Sequence, residues 1–240
     1  MKTITLNNGV EMPLQGFGVF QIAPQDCEAA VRSALDVGYR MIDTAQAYYN
    51  EVAVGRAWRT SGIAREDLFL VTKVWISNAG DERAAKSIDE SLRKLETEYI
   101  DLLLIHQAFG DYYGTYRAMQ KALEAGKVRA IGLSNFVDAR FVDLVENMEV
   151  KPAVLQLETH VFSQQKRMRE LMAPYGTRLM GLGAACRRQK RHLYASYVNG
   201  NRCKVRQDGS SDGTALFDGR GRHRDSEVGA PRTSRRELLD

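Results

Sequence analysis

Four side chains in the first half of the sequence have the chemistry of an acid–base site: Asp43, Tyr48, Lys73 and His106. A tyrosine, with an ordinary pKa of ~10, is a poor acid at neutral pH. A neighbouring ammonium favours the phenolate and lowers that pKa, each unit being worth ~1.4 kcal/mol. A buried ammonium keeps its charge only beside a carboxylate. Asp43, Lys73 and Tyr48 can therefore form a relay that readies Tyr48 to give up a proton. His106 can donate a hydrogen bond to the carbonyl that receives it. Ser134, Asn135 and Gln156 supply hydroxyl and amide groups at comparable places further along the chain.

Each of these residues also has an ordinary structural use. An aspartate at a strand end often caps the following helix. Lys73, among apolar neighbours, can be a snorkelling strand residue. A lone histidine after Leu102, Leu103, Leu104 and Ile105 is commonly a satisfied core residue, and Tyr48 and Tyr49 can be amphipathic packing residues. Ser134 and Asn135 can be a plain helix cap. These uses explain the residues one at a time. They explain poorly why all fall at equivalent places in successive segments.

Those places are the ends of apolar runs. Asp43 stops the run begun by Met41 and Ile42. Lys73 lies in 68–75, His106 closes 100–106, Ser134 and Asn135 close 128–135, and Gln156 lies in 153–158. Between the runs the apolar residues recur at helical spacing. Helices are predicted from Pro24 to a stop at Gly38, from Glu51 to about Gly62, and over 81–95, 116–125, 138–147 and 164–175. A hairpin over 2–11 turns at Asn7, Asn8 and Gly9, a strand follows over 14–20, and another begins at Arg178. Apolar strands alternating with amphipathic helices imply βα units around a parallel sheet. Six complete units and the start of a seventh strand point to an α/β barrel rather than an open sheet. No Gly-x-Gly-x-x-Gly follows the first strand, which argues against the usual dinucleotide-binding doubly wound fold. In a βα barrel the functional groups sit where strands end and loops begin, which is where the candidates lie.

The 240 residues suffice for one large domain. Cys27, Cys186 and Cys203 have neither metal-ligand spacing nor the pattern of a disulfide framework, so no metal is expected. The first residues lack the apolar core of a signal peptide, and no apolar run approaches the ~20 residues of a membrane span. The expectation is a cytoplasmic protein without membrane or nucleic-acid partners. Its net charge of +4 is unevenly spread. Residues 181–240 hold 13 Lys and Arg against 7 Asp and Glu, whereas 1–180 hold 21 against 23.

The pattern resembles the aldo-keto reductases. It is carried by Gly38, Tyr39, Arg40, Asp43, Thr44, Ala45, Tyr48, Asn50, Glu51 and Gly55, then Thr72, Lys73, Val74 and Trp75. It continues through Leu103, Leu104, Ile105 and His106, through Gly132, Leu133, Ser134, Asn135 and Phe136, and ends with Gln156, Leu157 and Glu158. An opening Asn8, Gly9, Met12, Pro13, Gly16, Phe17 and Gly18 fits as well. The bacterial branch that includes 2,5-diketo-gluconate reductases is the most similar in flavour. The resemblance implies a (β/α)8 TIM barrel closed below by the hairpin, with NADPH extended across the top. Tyr48 would protonate the carbonyl oxygen of an aldehyde or ketone, Asp43 and Lys73 would tune Tyr48, and His106 would orient the carbonyl. Ser134, Asn135 and Gln156 would hold the nicotinamide carboxamide, and Trp75 would line the substrate pocket. A small-molecule carbonyl substrate and a monomer are expected. Gln107 and Ala108 follow His106 where the family often has a proline.

The resemblance covers 1 to about 180 and then stops. The family implies an aromatic-bearing strand 7, a helix, a strand 8 with an Ile-Pro-Lys-Ser type segment that grips the cofactor's 2′-phosphate, and a last helix. None of these follows Met180, and 181–240 contain no Ile or Met. If the gene is read one base later, synonymous codons for 181–194 can be chosen that encode AWGPLAEGKNGIFT, others for 198–211 that encode LTAIGAKYGKTVAQ, and others for 224–230 that encode VIPKSVR. The sequence is thus compatible with the missing segments, in order, in a second frame. The expected organisation is a barrel over 1–180, incomplete after six units and a strand start, and a frameshifted, basic tail over 181–240. Such a truncated barrel is expected to leave two open sheet edges and to bind NADPH very weakly. Three alternatives remain: a genuine basic arm, an inactive product, and a non-catalytic barrel that binds nicotinamide or a partner. The coding DNA after the codon for Met180 should hold a second open frame encoding those three segments; a gene without one removes the frameshift explanation.

Overall fold

The computed structural model of the chain describes residues 2–182 and the backbone of 213–216. Strands β1 (Thr3–Thr5) and β2 (Glu11–Pro13) form an antiparallel hairpin with Thr3 opposite Pro13. Its turn needs a left-handed residue, and Gly9 supplies it at φ 85°. Seven parallel strands follow, each beside the next in chain order: β3 (Gln15–Gly18), β4 (Met41–Asp43), β5 (Phe69–Val74), β6 (Ile100–Ile105), β7 (Val128–Ser134), β8 (Val154–Glu158) and β9 (Arg178–Leu182). They are joined by α1 (Pro24–Asp36), α2 (Glu51–Arg59), α3 (Asp81–Leu95), α4 (Tyr112–Glu124), α5 (Ala139–Asn147) and α6 (Lys166–Met172). The architecture is the α/β barrel of the sequence expectation, with seven parallel strands.

The expected open edges are not found. A short strand, β10 (Gly213–Leu216), lies between β9 and β3 and closes the ring. It runs antiparallel to both neighbours, with Thr214 opposite Gly16 and Leu216 opposite Met180. The physical reason is the row of backbone N–H and C=O groups on each edge, which a strand of either direction can satisfy. Other differences are local. Helix α4 starts four residues before the predicted 116, because the Asp111 side chain accepts a hydrogen bond from Gly114 N and caps it. The helix predicted over 164–175 is shorter and ends in a 3₁₀ turn, Ala173–Tyr175, that contains Pro174.

Strand parity decides which side chains reach the inside. Met41, Phe69, Val71, Leu102, Leu104, Ala130, Val154 and Met180 pack together, sealed below by Leu6 and Met12 of the hairpin. Their sequence neighbours Ile42, Leu70, Leu103, Ile131, Leu133, Leu155 and Leu179 pack outward against the helices. Each fully buried aliphatic side chain contributes roughly 1.5–3 kcal/mol. Successive side chains on a strand point to opposite faces. Counting by two from the inner residues therefore brings Asp43, Lys73, Ser134 and Gln156 inside at the upper end of the ring. The strands approach closely there. A Cβ on Gly132 would lie 2.4 Å from the Val154 carbonyl oxygen, so glycine is required for β7 and β8 to keep this spacing.

Candidate active site

At the upper end of the ring Asp43 and Lys73 form a buried ion pair, Nζ donating to Oδ1. Lys73 is 1% exposed, and its ammonium also donates to the Thr44 carbonyl at 2.9 Å and to the Tyr48 hydroxyl at 3.5 Å. Asp43 Oδ2 accepts from Gln156 Nε2 at 2.6 Å. Burial alone pushes the Lys73 ammonium down. The Asp43 carboxylate, followed by the Tyr48 oxygen, outweighs burial and holds the pKa above its ordinary value. A cationic Lys73 thus stands beside the Tyr48 hydroxyl, as the relay requires.

His106 follows β6 and is buried, and its ring meets that of Tyr48 edge-on with centroids 5.5 Å apart. Trp75 also lies edge-on to His106, at 5.0 Å. Burial, helped by the Lys73 charge, pushes the imidazole pKa down to about 3, so His106 is neutral at physiological pH. Its Nδ1 is buried with no hydrogen-bond partner. An orphaned N–H costs more than an orphaned lone pair, which favours the tautomer with its proton on Nε2.

Ser134 and Gln156 are register partners on β7 and β8 and are both buried. Asn135 adopts a left-handed backbone at φ 62°, its N–H donates to the Gln156 carbonyl, and its Nδ2 donates to the His106 carbonyl and to Ser134 Oγ. The structure therefore brings Asp43, Tyr48, Lys73, His106 and Trp75 into one contact chain. Gln156 is joined to that chain through Asp43, and Ser134 and Asn135 through the His106 carbonyl. The expected loss of the family's cofactor grip after Met180 concerns 183–212 and 217–240, which lie outside the described residues.

Several residues of the site were not assigned a role by sequence. Phe20 packs its ring at 5.0 Å from Tyr48. Asn50 is fully buried, accepts from Thr44 Oγ1 at 2.7 Å and donates to the Val19 carbonyl at 3.0 Å, tying together the ends of β3 and β4. Glu51 accepts from Thr72 Oγ1 at 2.7 Å in the layer between sheet and helices, where burial raises its pKa. Gln46 opens the 3₁₀ turn Gln46–Tyr48 that carries the tyrosine. Among these, the signal available in the sequence was polar side chains packed around a helix start, at Asn50 and Glu51.

A sequence model of the Aldo/keto reductase family matches residues 15–185. Glyoxal reductase of Bacillus subtilis is 42% identical over 179 residues, covering 74% of this chain and 65% of that protein. An aldo/keto reductase from Brucella melitensis has a crystal structure that superposes with a TM-score of 0.73 at 42% identity, over 74% of this chain and 70% of that one. An aldo-keto reductase from Bombyx mori, solved in complex with NADP, superposes with a TM-score of 0.71 at 31% identity, over 75% and 65%. The chain spans 64% and 65% of the first two curated relatives it matches, less than two thirds of their length.

Two measurements probe the electrostatics. Lys73→Met leaves the Asp43 carboxylate buried without its cation and should cost about 3–5 kcal/mol in urea unfolding. Adding Asp43→Leu should recover most of that loss, and a double variant as unstable as Lys73→Met would contradict the pairing. For His106, the unfolded chain takes up a proton near pH 6.5, whereas the folded chain does so only near pH 3. Stability should therefore fall as pH drops through that window, by at most ~1.4 kcal/mol per pH unit from this group. His106→Asn should show a shallower decline between pH 6.5 and 5; an unchanged slope would mean that the imidazole is not held neutral.

Proposed function

The chain belongs to the aldo/keto reductase family, and from that premise we propose that it reduces an aldehyde or ketone to the alcohol with NADPH as hydride donor. The observation that carries this reading is the Lys73 ammonium, paired with Asp43 and directed at the Tyr48 hydroxyl 3.5 Å away. Tyr48 gives its proton to the carbonyl oxygen as the alcohol forms. Lys73 stabilises the phenolate left behind, and Asp43 keeps Lys73 charged in the interior. His106, neutral and protonated on Nε2, donates to the carbonyl and orients it. Trp75 and Phe20 wall the pocket with apolar surface that excludes water.

NADPH, when bound, supplies the hydride. The groups above β7 and β8 fit its carboxamide. Among the described residues, no hydrogen bond uses Asn135 Oδ1, Gln156 Oε1 or the Ser134 hydroxyl proton. Two acceptors and a donor complement an amide NH2 and C=O. Support for this choice of cofactor comes from the Bombyx mori relative, solved with NADP, and from the NADPH-dependent D-xylose reductase of Meyerozyma guilliermondii, 38% identical over 205 residues. We further propose a barrel over 1–180 with a frameshifted tail, so that affinity for NADPH is weak and activity reduced. Among the described residues no helix is long and apolar enough to cross a membrane. The site suits a small dissolved substrate, and we assign the protein to the cytoplasm as a monomer.

The test follows NADPH oxidation with a simple activated aldehyde at millimolar NADPH. Turnover is expected, and Tyr48→Phe should lower it by about 10²–10⁴-fold. A folded wild-type chain that consumes no NADPH under these conditions would overturn the reductase reading and leave an inactive product or a non-catalytic barrel that binds nicotinamide or a partner. Protein fluorescence quenched at micromolar NADPH would contradict the weakened grip.

A further inference from the structure

Gln46 lies between Asp43 and Tyr48 in sequence, yet its side chain does not join their network. It reaches instead into the crevice between the loop after β5 and helix α3. A glutamine amide offers two acceptor lone pairs and two N–H donors, and all four are used. Oε1 accepts from the Trp75 backbone N–H at 2.9 Å and from Asn78 Nδ2 at 2.9 Å. Nε2 donates to the Ser87 carbonyl at 3.2 Å and to Ser91 Oγ at 3.1 Å.

We propose that Gln46 is a positioning residue that locks the Trp75 wall of the carbonyl pocket to the turn carrying Tyr48, and thereby sets how bulky a carbonyl the pocket admits. The proposal rests on the reductase reading above. Gln46 touches no reacting atom. It acts through the Trp75 backbone, whose ring lies 5.0 Å from His106, which lies 5.5 Å from Tyr48. The side chains thus form a closed circuit: Tyr48 to His106 to Trp75 through ring contacts, and Trp75 back to Gln46 and its own turn through the amide. A side chain that bonds a loop's backbone holds the loop in one place, because an alternative position takes the part-buried Trp75 N–H and Asn78 amide away from the Gln46 oxygen together. Leucine matches glutamine in size and supplies none of the four bonds. Glutamate keeps both acceptor roles toward Trp75 and Asn78 and loses the two donor roles toward α3.

The experiment compares the full chain with Gln46→Leu and Gln46→Glu. Kinetics are read with a two-carbon aldehyde and with a bulky aromatic aldehyde at millimolar NADPH. Acrylamide quenching of tryptophan emission is read without cofactor. The sequence has two tryptophans. Trp58 is buried and donates to the Leu95 carbonyl, so accessible quenching reports Trp75. Gln46→Leu should change KM for the aromatic aldehyde at least fivefold, leave kcat for the small aldehyde within twofold, and raise the quenching constant about twofold. Gln46→Glu should keep quenching near the wild-type value. A folded Gln46→Leu chain with unaltered quenching and an unaltered KM ratio overturns the proposal. If the wild type turns over neither aldehyde, the reductase reading fails by itself, and quenching alone decides whether Gln46 holds Trp75.

Discussion

A charge cannot be left alone in the interior of a barrel, and the site depends on that constraint. Lys73 is inside because β5 alternates and Phe69 and Val71 face inward below it. Once there, the ammonium needs an anion, and β4 ends on Asp43 at the adjoining position. The pair is a weak source of stability, since desolvation offsets much of its attraction. What it secures is a cation at a fixed point, and the Tyr48 hydroxyl lies within reach of that point. The same cation acts on His106 in the opposite sense, helping burial to keep the imidazole uncharged. One buried ammonium thus lies within reach of the Tyr48 hydroxyl and helps to keep His106 neutral.

Residues legible in the sequence were those whose placement follows from local pattern. Asp43, Lys73, Ser134 and Gln156 sit toward the ends of apolar runs, and where a run ends can be read without knowing what lies opposite. His106 was legible as the polar residue that ends such a run. Gln46 and Asn50 were not, because their meaning lies in partners far along the chain: Trp75, Ser87 and Ser91 for one, Val19 and Thr44 for the other. No periodicity reports a side chain that bridges two loops.

The fold shows the same division. The hairpin, the strands and helix α3 follow from turn residues and spacing. The start of α4 depended on one capping aspartate, Asp111, whose bond to Gly114 N is not visible as a spacing of apolar residues. The closing strand β10 was invisible because Gly213, Thr214, Ala215 and Leu216 have no strand period of their own. Its conformation follows from the two edges it joins.

The hydrogen bond from Gln156 to Asp43 spans 113 positions of sequence. All four acid–base residues lie on the first 106 residues of the chain, so they emerge early in synthesis. The second oxygen of Asp43 receives this amide only after β8 has been made and has docked beside β7. Contacts of such separation form late, after the loop between them has been closed. A half-made barrel thus carries Asp43, Tyr48, Lys73 and His106, but not the hydrogen bond that ties Asp43 to β8.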